Sequence, residues 1–294
     1  MTSYSLSPST RNLIRNALIY IILILLAGLM IFPFTWLLST ALKDPAQVYA
    51  RPPVLLPRPI RWENLLDVMF PERLFGKSEY YVLPFPQMLN NTVLIAVLST
   101  VGAVVSASFV GYGFARLRFP GRDLLFAVLL STMMVPIMVR MVPLYLVYRR
   151  LKWIDTFYPL IVPSYFGGAF DIFLVRQYCR TIPSEYADAA KIDGCSELGV
   201  WWRIIVPMTW PVLTVVGIRA FQGAWGSFTM PLILLHSAEK KTLMLGLNTL
   251  LNVAEAAYHY QMSAAVITTI PLIVLFFAFQ RYFFRGITIS GVKG

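Results

Sequence analysis

From Asn16 to Leu42 the chain carries no charged residue, and that run is longer than the roughly 20 apolar residues a membrane helix needs. Comparable stretches recur at 87–115, 124–148, 157–178, 210–235 and 261–279, so six spans are expected. Across all 294 residues 57% are hydrophobic and 13% charged, whereas soluble domains carry roughly 25% charged residues. An all-α integral membrane protein follows.

Several function classes fall away on composition. The net charge of +11 suits nucleic acid, but basic residues flanking membrane spans give the same total, and no basic stripe with interleaved aromatics lies on a soluble face. The two cysteines have no paired spacing for a disulfide framework, and no metal ligand set is visible. His236 and His259 are the only histidines, leaving little material for a His-based catalytic site. A Gly-x-x-x-x-Gly-Lys phosphate loop is absent, and Gly223-Ala-Trp-Gly-Ser227 lacks the order of a nucleophile elbow. No catalytic residue is assigned, and no cofactor is expected on this chain.

Arg11 and Arg15 precede the first run, which places the N-terminus inside. Ser39-Thr-Ala41 resembles a signal-peptide cleavage site, but the apolar part is about twice the usual 7–15 residues, so an uncleaved helix is expected. Residues 1–15 then form a cytosolic tail, 16–281 the membrane domain, and 282–294 a second cytosolic tail, with both termini in the cytosol. Prolines 45, 52, 53, 57, 59, 71, 84 and 86 exclude long helices from 43–86, which reads as an external loop. His236–Tyr260 reads as another. In the second span Ser99, Gly102, Ala103, Ser106, Ala107 and Gly111 form a small-residue stripe that lets a neighbouring helix approach.

Residues 181–211 cannot lie in a membrane, because Glu185, Asp188, Lys191, Asp193, Glu197 and Arg203 arrive every few positions. The punctuation is that of two short helices. Ser184 is placed to cap the first, with acidic residues in its first turn, and Gly194 sits where a left-handed residue stops it. Ser196 and Glu197 start the second, which Pro207 and Pro211 interrupt. Ala187, Ala189 and Ala190 give a small face that another surface can approach. Cys179 and Cys195 bracket the hairpin and are expected to be cytosolic and reduced. With Arg176 and Arg180 just before it included, the hairpin's four acidic and four basic residues cancel, which argues against a DNA-reading helix-turn-helix.

Glu185-Tyr-Ala-Asp-Ala-Ala190, Asp193-Gly194 and Ile205-Val-Pro207 together resemble the coupling loop of ABC-importer permeases of the maltose type. Ala115-Arg-Leu-Arg-Phe-Pro-Gly121, Met133-Met-Val-Pro136, Val142-Pro-Leu-Tyr145 and Phe173-Leu-Val-Arg-Gln-Tyr178 are similar to the same family, and the resemblance spans residues 20–294. Asp188 stands where relatives more often have Glu, and Trp225-Gly-Ser-Phe228 replaces their Trp-Asn-Asp-Phe. The resemblance implies a type I permease of the bacterial inner membrane that moves a sugar or oligosaccharide. It further implies a second homologous permease, two ATPase subunits holding ATP and Mg, and an extracytoplasmic solute-binding protein. Glu185, Ala187, Asp188, Ala189, Ala190, Asp193, Gly194, Arg203 and Pro207 are the implied ATPase-coupling residues.

Three charges fall in the interior of spans, away from their ends: Arg140, Asp171 and Arg219. A charge at mid-membrane costs about 2.5–3.5 kcal/mol on insertion scales, so each needs a wet cavity or a partner. One expectation is a translocation path of Arg140, Asp171, Arg219, Trp225, Gly226 and Ser227, net positive and suited to an acidic, uronate-containing oligosaccharide. The other is that Asp171 pairs with an arginine and locks helices, while Arg140 snorkels to the outer surface. Rival functions are an ion-coupled secondary carrier, an importer for a phosphorylated polyol or other small polar solute, and a non-transporting membrane interaction protein.

Overall fold

The computed structural model describes residues 8–70, 85–253 and 258–288. The expectations for residues 1–7 and 289–294 of the two tails, and for 71–84 and 254–257 of the two external loops, fall outside them. The described residues are helices and turns, without a strand. Four helical stretches are long and apolar enough to cross a membrane, or six if each of two sharply bent pairs counts as one span. The chain divides into two compact units, Met1–Leu74 with Leu250–Ile267, and Phe75–Thr249 with Thr268–Gly294.

In the first unit, α1 (Pro8–Ala41) is exposed at every position from Asn12 to Thr35. That apolar surface suits lipid, where a soluble protein would bury it. Two short helices follow, α2 (Pro45–Val48) and α3 (Glu63–Met69). The second of them helps close the end of α1, whose last carbonyls have no partner within the helix. The Asn64 amide donates to the carbonyls of Ala41 and Lys43, both at 2.9 Å, and the Ser263 hydroxyl donates to Ala41 at 3.0 Å. Lys43 is buried with its ammonium 4.2 Å from the Trp36 ring centroid, and that burial pushes its pKa down.

The second unit is built on α4 (Phe85–Arg116), whose predicted small-residue stripe is buried throughout. The expected third span is broken. Helix α5 (Arg122–Ser131) and a 3-10 turn end at Pro136, and α6 (Ile137–Arg150) leaves at 103°. Pro136 cannot donate to the preceding turn and pushes Val135 into extended geometry, which ends the helix there. The fourth span is broken too, into α7 (Tyr158–Ile161), a 3-10 turn over Val162–Phe166, and α8 (Ala169–Thr181). Pro163 has no N–H to offer Leu160, so the Ser99 hydroxyl donates to that carbonyl at 3.0 Å instead. Gly167, at φ +90°, turns the chain, and the Ser106 hydroxyl donates to the Ser164 carbonyl at 2.9 Å.

The hairpin comprises α9 (Glu185–Ile192), α10 (Glu197–Val200), a π-helical turn over Trp201–Ile205, and α11 (Val206–Met208). The π turn answers Pro207, which cannot join an ordinary α ladder. Helix α12 (Trp210–Trp225) departs at 80°, and α13 (Thr229–Leu234) follows a break at Gly226–Phe228. The stretch read as an external loop contains a helix, α14 (Leu243–Val253). Helix α15 (Tyr258–Thr288) continues past the expected end of the sixth span at 279.

Asp155 ties α13 to the turn before α7. Its carboxylate accepts from the N–H groups of His236 and Ser237, both at 2.9 Å, from the Ser237 hydroxyl, and from the Lys240 ammonium at 3.1 Å. Burial works against its charge, yet those donors outweigh it and hold Asp155 well below the usual carboxylate range.

The close approach of α4 to α8 generates a test. A Cβ on Gly111 would lie 2.8 Å from Val175 and 3.2 Å from the Arg176 backbone nitrogen, whereas one on Gly113 meets nothing within 4 Å. Gly111→Ala should therefore destabilise by about 1–3 kcal/mol through overpacking. Gly113→Ala should be neutral or stabilise by up to about 1 kcal/mol, as alanine does in helix interiors. Thermal unfolding of the two purified variants in detergent checks both, and equal melting temperatures would contradict this packing.

Candidate functional site

Two regions collect the residues that carry chemistry. The first is a cavity of about 370 Å³ within the second unit, lined by α4, the broken fourth span, α12 and the turn at Thr242. Asp171 and Arg219 meet in its wall. Arg219 donates from Nε to Asp171 Oδ1 at 2.7 Å and from Nη2 to Oδ2, the two-pronged geometry that a guanidinium and a carboxylate favour. Asp171 is 2% exposed and the Arg219 side chain 48%. Gly168 makes the pairing possible, because a Cβ there would lie 2.9 Å from Asp171 Oδ2.

The sequence left two options for these charges; the pairing of Asp171 with an arginine is present, and both partners still line the cavity. Asp171 neutralises Arg219, so the cavity lining has no net charge. Arg140 is elsewhere: it is exposed on α6, one turn beyond Pro136, and does not line the cavity. The bend at Pro136 carried it off the line a straight third span would have followed. Ser227 does line the cavity. Trp225 is buried behind it, its indole N–H donating to the Thr268 carbonyl at 3.1 Å, and Gly226 ends α12 through its N–H to Gln222. Thr242, Ser99 and Gly168 were not anticipated. Pro159, Pro163 and the Gly167-Gly168 pair were the available signal, since together they break a span and expose polar backbone.

The second region is the hairpin. Gly194 has φ +84°, and the Cys195 and Gly194 N–H groups bond back to the carbonyls of Ala190 (2.9 Å) and Lys191 (3.0 Å). That is the Schellman closure expected of a glycine at this place. Ser196 caps α10 with its hydroxyl, 3.2 Å from the Gly199 nitrogen. Ser184 does not cap α9. Its own backbone is already helical, so its carbonyl takes the Ala187 and Asp188 N–H groups while its hydroxyl makes no capping bond.

The alanine face also points differently from expectation. Ala187 and Ala190 are buried against this chain's own Val175, Val200 and Ile205 cluster, and only Ala189 is exposed. The outward surface instead presents Tyr186, Ile192, Leu198 and Trp202, among the exposed Glu185, Asp188, Asp193, Arg203 and Pro207. Ile192, at 87% exposed, stands out most.

The inward side is tied down. Tyr112 donates its hydroxyl to Glu197 at 2.8 Å, and the Trp201 indole donates to Ser108 at 3.1 Å. Arg116 donates to the carbonyls of Cys179 and Ile182, closing the end of α8 where a cation is favoured. Cys179 is buried and Cys195 only partly so.

Residues 103–289 match the family described as the binding-protein-dependent transport system inner membrane component. An arabinooligosaccharides transport system permease protein of Halalkalibacterium halodurans, AraQ, is 36% identical over 205 residues, 70% of this chain and 73% of that one. An sn-glycerol-3-phosphate transport system permease protein of Yersinia pestis bv. Antiqua, UgpE, is 29% identical over 273 residues, 92% of this chain and 95% of that one. In a crystal structure of a bacterial ABC transporter involved in the import of the acidic polysaccharide alginate, one chain matches with a TM-score of 0.78. It is 21% identical, covering 96% of this chain and 100% of that one, a likeness of fold. The chain belongs to the inner membrane components of binding-protein-dependent transport systems, and is a multi-pass protein of the bacterial inner membrane.

Proposed function

We propose that the chain is the permease subunit of an ABC importer that moves a sugar or oligosaccharide across the inner membrane. The observation that carries the reading is the hairpin: residues 184–206 are locked to α4 and α8 on one side and present an exposed apolar knob on the other. Such a knob on a polar segment is the kind of surface that seats in a partner's groove. The partner is an ATPase subunit, present twice in the assembly and holding ATP and Mg, with a second homologous permease and an extracytoplasmic solute-binding protein completing it. Both termini lie in the cytosol. ATP-driven closure of the ATPases would move the hairpin and, through it, switch the spans between inward- and outward-facing states. The sugar assignment rests on the arabinooligosaccharides relative; the glycerol phosphate relative favours a phosphorylated polyol as the second reading. Both agree with an importer and against an ion-coupled carrier acting alone.

The two faces of the hairpin give different mutant behaviour. Ile192→Asp alters only the outward face, so the importer should assemble its membrane part normally and lose ATP-driven uptake by roughly tenfold or more, the scale of a central interface contact. Ala190→Trp overfills this chain's own core and should lower folded yield as well. Uptake and ATPase co-purification measured side by side decide it; full coupling in Ile192→Asp would remove the docking role.

Thiol labelling tests the orientation. Cys195 should react with a membrane-impermeant reagent in inside-out vesicles and stay unlabelled from outside intact spheroplasts. Cys179 should react from neither side until the protein is unfolded, because it is buried. Labelling of Cys195 from outside would reverse the topology.

A further inference from the structure

Resting on the permease reading, we propose that this subunit itself holds a solute subsite in the cavity beside Asp171 and Arg219, and that it takes an uncharged, hydroxyl-rich solute, one sugar ring at a time. Three observations converge there. The cavity, about 370 Å³, falls in the range of small-molecule sites. Both the fourth and the fifth spans are interrupted at its wall, at Gly167–Gly168 and at Gly226–Phe228, and broken helices in a transporter present polar backbone to a solute. The third observation is an orphan. Thr242 lines the cavity, is 5% exposed, and its buried hydroxyl oxygen has no hydrogen-bond partner among the described residues. Buried hydroxyls are nearly always satisfied, so this one awaits a ligand group.

The chemistry of the lining selects the class. Arg219 uses Nε and Nη2 on Asp171, and its Nη1 makes no hydrogen bond among the described residues. The Ser227 hydroxyl is also unengaged there. The wall therefore offers guanidinium and hydroxyl donors next to carboxylate and hydroxyl acceptors, the mixture that matches sugar hydroxyls, which both donate and accept. An anionic solute is poorly served. It would have to displace a carboxylate that is 2% exposed and held at both oxygens, or sit beside it as a like charge. Met230, Pro231 and Ile95 supply an apolar wall for the C–H face of a ring.

The test uses the whole importer purified from its host, without its solute-binding protein, so that only the membrane part can bind. Saturation-transfer NMR is recorded with arabinotriose and maltotriose as neutral probes, and with sn-glycerol 3-phosphate and an alginate trisaccharide as anions. The expected result is transfer to a neutral probe that exceeds transfer to either anion. Thr242→Val should weaken that binding about tenfold, as for one lost hydrogen bond at a buried group, and Thr242→Ser should retain it. No transfer to either neutral sugar, equal binding in Thr242→Val, or a preference for an anion overturns the proposal. The same preparation is assayed for ATP hydrolysis stimulated by the liganded binding protein. Stimulation without sugar binding removes the subsite and leaves the permease reading standing; no stimulation and no associated ATPase removes the permease reading itself.

Discussion

Everything in the larger unit depends on how closely the small-residue face of α4 lets the fourth span approach. Gly102 and Gly111 have no room for a Cβ, with Ser164, Tyr165 and Val175 occupying the space. Contact at that distance brings the hydroxyls of Ser99 and Ser106 within reach of carbonyls that Pro163 and Gly167 have freed. In hydrocarbon an unsatisfied carbonyl is worth several kcal/mol, on the order that would forbid the break altogether. The stripe and the break are thus one device. Small residues bring the helices together, serine hydroxyls complete the interrupted backbone, and the interruption opens the cavity.

The ion pair in that cavity follows from the same geometry. Asp171 sits in the first turn of α8, where the helix dipole favours a carboxylate, and Gly168 leaves the space for the Arg219 guanidinium to reach both its oxygens. Removing Arg219 would strand a buried carboxylate at a cost of about 3–5 kcal/mol, discounted because the arginine side chain is half exposed. The pair therefore locks α8 to α12 and also keeps a polar site free of net charge. A locking role and a binding role are compatible here, since a guanidinium held by two of its nitrogens still offers the third.

Much of this was legible in the sequence where one residue type has one physical meaning. Gly194 marked a left-handed helix stop and has that conformation. Six apolar runs marked the spans, and the spacing of Ser99 to Gly111 marked the buried face of α4. Less was legible where direction in space decides. Ala187 and Ala190 read as a small face, but whether such a face meets a partner or the same chain depends on tertiary contacts, and these two meet their own core. Ser184 has the right residue type for a cap, but its backbone conformation excludes the role. The third span was expected as one run over 124–148, and the 103° bend at Pro136 displaced Arg140 from the path a straight helix predicts. The pairing of Asp171 with Arg219 joins residues far apart in the chain, which local patterning cannot choose over Arg140.

The hairpin has the mechanical properties a coupling element needs, and they arise from how its two sides differ. On its inner side, Glu197 is held by Tyr112, Trp201 by Ser108, and the preceding helix end by Arg116, three attachments that all lead to α4. On its outer side, Tyr186, Ile192, Leu198 and Trp202 are free of such ties. Both bonds of the Gly194 closure are made, so the turn between the two helices is fully hydrogen-bonded. The hairpin continues through the π turn and Pro207 to α12, which carries Arg219. The ion pair and the hairpin are then the two ends of a single packed path, with α4 as its rigid member. The Asp171–Arg219 contact joins α8 to α12, so a displacement of α12 against α8 would act on that ion pair first.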